Sequence, residues 1–190
     1  MRTMLKILAV LVVGTGLGLA ATWFTVIRGS MGGEVADGPW HTSLAVGSAQ
    51  GGAYLRAAVA VHGLLALNRS ETIYYTATAD SSGAALDGHC RYALAGRDPP
   101  TRWWSITAYG ADDYLIDNPA GIYSASRNSI VRRSDGGFIV TVGKARAPGN
   151  WIPVGDGRFS LSLRLYNPAP EISADPAHVA LPGIVKERCA

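Results

Sequence analysis

Charged residues are scarce in this chain. Of its 190 residues only 16% are charged and 48% are hydrophobic, whereas about 25% charge is usual for a soluble domain. The shortage is greatest at the N-terminus, because residues 7–27 contain no charged side chain and no acidic residue precedes Glu34. The length suits one domain with its own core rather than two.

The uncharged stretch at residues 7–27 has the length of a membrane span, because a helix rises ~1.5 Å per residue and the hydrocarbon core is ~30 Å thick. We therefore predict an N-terminal transmembrane anchor at residues 1–28. A cleaved signal sequence is the alternative, with Gly18, Leu19 and Ala20 as a small-residue cleavage site. The apolar run continues to Ile27 beyond that site, which favours the anchor.

The flanking charges predict the orientation of this segment. Arg2 and Lys6 precede it and only Arg28 follows it closely, so the N-terminus stays in the cytoplasm. The protein is then a single-pass inner-membrane protein whose domain faces the periplasm, or a secreted one if the signal is cleaved. The other 14 of the 17 basic residues equal the 14 acidic ones. This neutral domain argues against nucleic acid as a partner.

Cysteine is nearly absent, with Cys90 and Cys189 as the two examples. In an oxidising compartment they can pair and close a loop of roughly a hundred residues; two free thiols are the alternative. His89 precedes Cys90, but no second pair of ligands follows at a metal-like spacing. We therefore predict no metal and no cofactor.

Recognisable catalytic motifs are also missing. No Gly-x-Ser-x-Gly segment is present, which excludes the usual α/β-hydrolase nucleophile. Two turn carboxylates could pair for glycoside hydrolysis, so a hydrolase acting on a glycan or small envelope molecule remains the alternative function. The candidates for such a pair are Asp80, Asp87, Asp112, Asp113 and Asp117.

The rest of the chain divides at a glycine-rich stretch. Residues 29–38 are predicted to form a linker, and residues 39–190 a β-domain. Residues 53–67 are rich in alanine and leucine, and their apolar positions almost encircle a helix, which predicts a helix buried against a sheet. His62 lies within this helix and is expected to be a hydrogen-bonded core residue.

Alternation of apolar and polar residues begins at Glu71 and predicts strands. Glycine-containing turns at residues 135–137 and 155–157 separate several of them. This pattern predicts a mainly β fold, an antiparallel β-sandwich of jelly-roll type with one buried helix. The predicted strands lie near residues 73–79, 90–95, 103–109, 121–126, 138–142 and 158–166.

Several phrases occur in an order that resembles a bacterial family, domain of unknown function 1214. They are RWWSITAY at 102–109, NWIP at 150–153, LRLYNP at 163–168, DSSG at 80–83, LDG at 86–88, LIDN at 115–118 and LPGIVK at 181–186. The resemblance covers roughly residues 38–186 and implies a jelly-roll β-sandwich. In longer members this domain follows another uncharacterised one, domain of unknown function 1254, where this chain has its apolar segment. The family supplies no established catalytic residues to transfer.

Two predicted strands carry polar and aromatic residues on one face. Trp103 and Tyr109 alternate with core residues in the first strand, as Arg164 and Tyr166 do in the second. Such faces could form a groove that stacks sugar rings or binds an anion at Arg164. The alternative is that the aromatic rings close the sandwich ends and Arg164 pairs with Asp or Glu.

Three further ligand-binding candidates lie next to strand ends. They are Asn118, Asn150 and its neighbour Trp151. Asparagine at such a position commonly binds its own loop backbone instead. We therefore expect a ligand-binding or envelope-interaction module whose partner is a glycan, a small molecule or an envelope protein.

Overall fold

The computed structural model describes residues 2–28, 34–48, 51–61 and 67–189. Its helices are α1 (Arg2–Arg28), α2 (Ala53–Val61) and α3 (Pro170–Ala174). Its strands are β1 (Glu34–Asp37), β2 (Trp40–Ser43), β3 (Thr72–Ala77), β4 (Cys90–Gly96), β5 (Thr101–Gly110), β6 (Ser124–Ser126), β7 (Phe138–Val142), β8 (Asn150–Ile152), β9 (Phe159–Pro168) and β10 (Gly183–Cys189).

The strands form two sheets. The first has six strands in the order β1-β2-β3-β9-β5-β6, and the second has four in the order β10-β4-β7-β8. Neither closes into a barrel, and the prediction of a mainly β fold is confirmed. The expected antiparallel pairing is wrong at one place, since β7 and β8 are parallel. A parallel pair requires the chain to return to the level at which the first strand began. Because β8 has only three residues, the loop at residues 143–149 returns the chain by just ~7 Å along the strand direction.

The inward faces of the two sheets bury one core. Alternate residues of β9 are buried, as the apolar positions Leu161, Leu163 and Leu165 require. Trp104 of the first sheet stacks on Phe138 of the second with ring centroids 4.9 Å apart. The same cluster of buried residues includes side chains from both sheets, so the sheets are stabilised by each other's apolar faces.

Helix α1 contains the apolar N-terminal segment. It is long and apolar enough to cross a membrane, and its most apolar stretch is not buried against the rest of the protein. Its length, composition and position near the N-terminus suit a signal sequence or a membrane anchor.

The predicted buried helix is wrong for the residues that the structure describes. Helix α2 covers 53–61, and residues 62–66, including His62, lie outside the described residues. Only Ala58 is buried, whereas Tyr54 and Val61 are more than half exposed. The helix contacts α1 and contributes nothing to the core cluster between the sheets. An apolar helical pattern shows that a helix needs apolar surroundings, but it does not identify them.

Strand β10 is joined covalently to β4. Cys189 and Cys90 are opposite each other in the antiparallel pair, with Cα atoms 3.8 Å apart, and they form a disulfide. This is the pairing expected for an oxidising compartment. It connects residues 99 positions apart in the sequence.

The turn after β3 is built around a buried carboxylate. Asp80 is 2% exposed, and its Oδ1 accepts hydrogen bonds from the Ser82 backbone N–H, the Ser82 hydroxyl and the Ala84 N–H. The hydrogen bond from the Ser82 hydroxyl contributes most to lowering the pKa of Asp80, and burial opposes it. The DSSG phrase therefore specifies a turn in which the ionised acid replaces missing backbone partners.

Replacing Asp80 with alanine is expected to destabilise the domain by about 1–3 kcal/mol, because two turn N–H groups and the Ser82 hydroxyl lose a charged acceptor. Since the folded pKa is lowered, the contribution of Asp80 is fully present above its ordinary value of 3.8 and disappears as the pH falls through the folded value. Urea unfolding at pH 7 and pH 3 measures both effects. Asp112→Ala is the matched control, because exposed Asp112 accepts a single turn N–H, from Tyr114. Equal losses in the two variants would contradict this account.

Candidate functional site

The outward face of the six-stranded sheet carries polar and aromatic side chains. Alternation in β3, β9 and β5 directs these residues away from the core, and the register places Arg164 between Tyr74 and Ser105. We call this surface the Arg164 face. Its members are Tyr74 and Thr76 of β3, Ser160, Ser162, Arg164 and Tyr166 of β9, and Trp103, Ser105, Thr107 and Tyr109 of β5.

Arg164 lies at the centre of this face, between two tyrosine rings. Its guanidinium carbon is 5.8 Å from the Tyr74 ring centroid and 5.4 Å from that of Tyr109. Its Nη2 donates to the Tyr109 hydroxyl at 2.8 Å, and its Nη1 donates to Thr107 Oγ1 at 3.3 Å. These contacts fix the plane of the guanidinium by cation–π attraction and neutral hydrogen bonds.

Arg164 has no carboxylate partner among the residues that the structure describes, since none of the ion pairs there includes it. The interpretation in which it is neutralised by Asp or Glu is therefore not what the structure shows. Arginine carries five N–H donors, and the two protein acceptors leave others available. The Arg164 guanidinium is therefore a partly exposed cation that is fixed in position and has no carboxylate partner in the described part of the chain.

The predicted aromatic residues are brought to the same face. Trp103 and Tyr166 are opposite each other in β5 and β9, with ring centroids 5.2 Å apart in an edge arrangement. Both rings are partly exposed. The structure thus unites Trp103, Tyr109, Arg164 and Tyr166, the four strand residues predicted from sequence.

A cavity of about 180 Å³ adjoins the face where β1, β2 and β3 meet β9. Its walls are mainly apolar, and Glu34, His41 and Arg69 are the ionisable side chains, besides Tyr74, among the lining residues that the structure describes. Tyr74, Thr76 and Ser162 belong to both the cavity and the Arg164 face. The other described lining residues are Thr42, Ser43, Val46, Thr72 and Ile73.

Tyr74 forms the wall between the cavity and Arg164. Burial raises the pKa of Tyr74, and the nearby Tyr166 raises it further, whereas Arg164 and hydrogen bonds involving Thr72 and the Leu67 backbone oppose the rise. The phenol is therefore neutral at physiological pH and can serve as a hydrogen-bond donor or acceptor.

The three candidates beside strand ends, Asn118, Asn150 and Trp151, lie elsewhere. The Asn118 side chain donates to the carbonyls of Ile116 and Ile122 and accepts from the Ile122 N–H. Asn150 is on β8 of the other sheet and binds the backbone of Val131 and Ile139. These contacts satisfy the amide groups within the protein.

Trp151, also on β8, donates from Nε1 to the Gly143 carbonyl at 2.9 Å. Asn118, Asn150 and Trp151 are therefore not part of the Arg164 face.

The candidate carboxylates do not meet at this surface. Asp80 holds its own turn, and Asp87 accepts from the His89 backbone N–H and contacts its ring. Glu34 is the one acid among the described lining residues of the cavity. Within residues 2–28, 34–48, 51–61 and 67–189, no group of three or more His, Cys, Asp or Glu is arranged to hold a metal.

Sequence reasoning missed the cavity. Its lining comes from β1, β2 and the residues before β3 as well as from β9, and these segments lie far apart in the chain. Arg69 and His41 carry no local motif that would single them out. The order of strands in the sheet brings His41 to the cavity beside Tyr74, whereas Arg69 precedes Tyr74 closely in the chain.

Comparison with solved structures shows a related fold. The VPA0106 protein from Vibrio parahaemolyticus matches with a TM-score of 0.61 and 23% identity, over 73% of this chain and 36% of that protein. An uncharacterised protein from Burkholderia cenocepacia has a TM-score of 0.43 and 14% identity, over 63% of this chain and 30% of that one. The chain thus spans about a third of the length of these proteins.

The sequence comparison identifies a family without an activity. No curated protein matches the chain. The sequence model described as "Protein of unknown function (DUF1214)" matches residues 71–170. This region contains β3 to β9 and with them Arg164 and its tyrosine neighbours, and it is more than half of the chain. The chain therefore belongs to the DUF1214 family.

Proposed function

We propose that this protein is a ligand-binding module of the cell envelope, and that it binds a glycan or another small envelope molecule on the Arg164 face. The observation that supports this is Arg164 itself, held between Tyr74 and Tyr109 with no carboxylate partner in the described chain. An arginine needed only for stability is normally paired or fully solvated. This one is fixed in place on a face that stays partly open.

The composition of the face suits a sugar or a similar small molecule. Partly exposed rings such as Trp103 offer flat apolar surfaces for stacking, while hydroxyl groups and the guanidinium supply directional hydrogen bonds. The neighbouring cavity adds an apolar recess. Strands, rather than loops, hold these groups, so their geometry is fixed before a ligand arrives.

The same proposal places the domain in the cell. Residues 1–28 serve as an uncleaved, single-pass inner-membrane anchor. The linker predicted at 29–38 is shortened at its end by β1, which pairs with β2 from Glu34 onward, and the chain after it forms a periplasmic jelly-roll sandwich. The apolar α1 supports the anchor, and the Cys90–Cys189 disulfide supports an oxidising compartment. The shared core of the two sheets supports the sandwich. Secretion after signal cleavage is the outcome that N-terminal sequencing of the mature protein would reveal instead.

A thermal-shift screen tests the binding function. The full chain in lipid nanodiscs is heated with peptidoglycan fragments, neutral and acidic oligosaccharides and small metabolites. A ligand at a hundred times its dissociation constant adds ~2.7 kcal/mol, which raises the midpoint by roughly 5–10 °C in a domain of this size. No shift across the panel would overturn the proposal and favour an envelope protein as the partner.

Two substitutions identify the surface once a ligand shifts the midpoint. Arg164→Gln and Trp103→Ala are expected to reduce that shift by at least half, while each variant alone melts within about 3 °C of the wild type, because both side chains lie outside the core. Arg146→Gln is the control, since Arg146 is exposed on a loop of the other sheet. A severe loss of stability in the first two variants, or an undiminished ligand shift, would count against the assignment.

A further inference from the structure

The surface around Tyr74 is positively charged although the domain as a whole is not. Arg164 lies over the Tyr74 ring, and Arg69 lines the cavity that Tyr74 also lines. Neither arginine takes part in an ion pair among the described residues. Among the described residues that line the cavity, Glu34 and His41 are the ionisable groups besides Tyr74 and Arg69, so two arginines there face a single carboxylate. An unpaired, partly desolvated guanidinium favours an oxyanion, which it can bind through two parallel hydrogen bonds.

The cavity limits the size of what can enter. Its volume of about 180 Å³ is close to the ~150 Å³ of an engineered apolar cavity that accepts benzene. Its walls are mainly apolar, with Ile73 and Val46 among them. The occupant that fits is therefore a single ring or a short branched aliphatic group, not a whole sugar chain.

The two features are adjacent. Tyr74 pairs with Arg164 in the β3–β9 register and also lines the cavity, while Ser162 lines it two residues before Arg164. Alternate residues on one strand face are ~7 Å apart, which a short linker spans.

We infer that the natural ligand is an amphipathic oxyanion, a carboxylate or phosphate bound by Arg164 and attached to a ring-sized apolar group that fills the neighbouring cavity. This inference rests on the proposed function and specifies its ligand class. The inference predicts a preference for acidic ligands over neutral glycans, which ring stacking alone does not predict.

The test compares matched probes that differ only in charge. Binding of 4-phenylbutyrate and of its neutral amide, 4-phenylbutyramide, to the full chain in nanodiscs is measured by saturation-transfer NMR, with empty nanodiscs as the blank. Probes of this size bind with dissociation constants of about a millimolar. We expect the carboxylate to bind at least fivefold more tightly than the amide. Phenyl phosphate is the second arm and distinguishes a phosphate preference from a carboxylate one.

Substitutions then separate the two halves of the site. Arg164→Gln is expected to reduce carboxylate binding to the level of the amide and to leave amide binding unchanged. Ser162→Leu fills the cavity mouth and is expected to weaken both probes at least fivefold. Ser160→Leu is its control, because Ser160 lies on the same strand face but does not line the cavity. Melting curves verify that each variant is folded.

The outcomes distinguish this inference from the proposed function. Equal binding of the carboxylate and the amide would overturn the charge preference. If Ser162→Leu then abolished binding of both probes, the assignment of the cavity as the binding site would still stand. A neutral glycan that raises the midpoint when no probe binds would overturn the amphipathic ligand and retain the binding function. If no probe bound and no panel member raised the midpoint, both this inference and the proposed binding function would be overturned.

Discussion

Replacing Trp104 with alanine is expected to remove about 3–5 kcal/mol of folding stability, a large part of what a domain has. The Trp104 ring is fully buried and stacks on Phe138 across the two sheets. Its Nε1 donates to Asp98 at 2.8 Å, and Arg132 holds the same carboxylate. The substitution therefore leaves a cavity at the contact between the sheets and an unmatched acceptor at its edge.

Thermal unfolding measures this effect, and we expect the midpoint to fall by roughly 6–20 °C. The neighbouring Trp103→Ala is the control, since it removes the same side chain from the same strand but from the outward face. Its expected change is within about 3 °C. Similar losses at both positions would mean that the outward face is packed as tightly as the core, and would contradict its role as a binding surface.

Reduction of the Cys90–Cys189 disulfide is expected to have an effect of similar size. A cross-link between residues 99 positions apart restricts the unfolded chain, which the chain-entropy model values at ~4–5 kcal/mol. The bond also holds β10 at the edge of its sheet, where most of its side chains are exposed and contribute little core burial. We expect β10 to detach in the reduced protein before the sheets separate.

The measurement is urea unfolding with and without a thiol reductant. The double variant Cys90→Ser/Cys189→Ser should match the reduced wild type and should not respond to reductant. Hydrogen exchange is expected to show lost protection of β10 amides ahead of those of β9. Identical unfolding of the oxidised and reduced wild type would contradict a stabilising role for this bond.

Six of the ten described strands, β3 to β7 and β9, were predicted from the sequence, because alternation is a direct consequence of a sheet with one buried face. Strands β1, β2 and β10 were not predicted, and β1 lies within the predicted linker. Residues 159–165 alternate between leucine or phenylalanine and polar groups, and the structure buries the apolar ones. The same reasoning placed Arg164 outward. It failed for β8, because a strand of three residues is too short to show a period and its parallel pairing depends on the loop before it. It also failed for α2, since an apolar pattern does not identify the neighbour that covers it.

The candidate site was predicted only in part, and the reason is topological. Trp103, Tyr109, Arg164 and Tyr166 lie on strands that pair directly, so two alternating patterns were enough to predict that they meet. Tyr74 was assigned to a polar strand face without a role. Its place beside Arg164 follows from the insertion of β9 between β3 and β5, which no local pattern reports.

Asn118 and Asn150 were the weakest sequence candidates. Asn118 and Asn150 each bind the backbone of residues that close or flank their loops. An amide side chain with this role looks the same in sequence as one that awaits a ligand. Distinguishing the two requires the positions of backbone groups that are brought close only by folding.

The position of β10 at the side of β4 sets the order in which the fold can be completed. The ribosome synthesises residues 183–189 about ninety residues after their partners at 90–96. The hydrogen bond from Trp40 Nε1 to the Pro182 carbonyl joins residues still further apart, 142 positions. Until then β4 presents an unpaired edge, which favours association with other chains. Non-local pairings of this kind form slowly. The nascent domain therefore passes through a stage in which the second sheet lacks β10. During that stage the open edge of β4 has to be protected from other chains, a requirement that ends when β10 pairs and the disulfide forms.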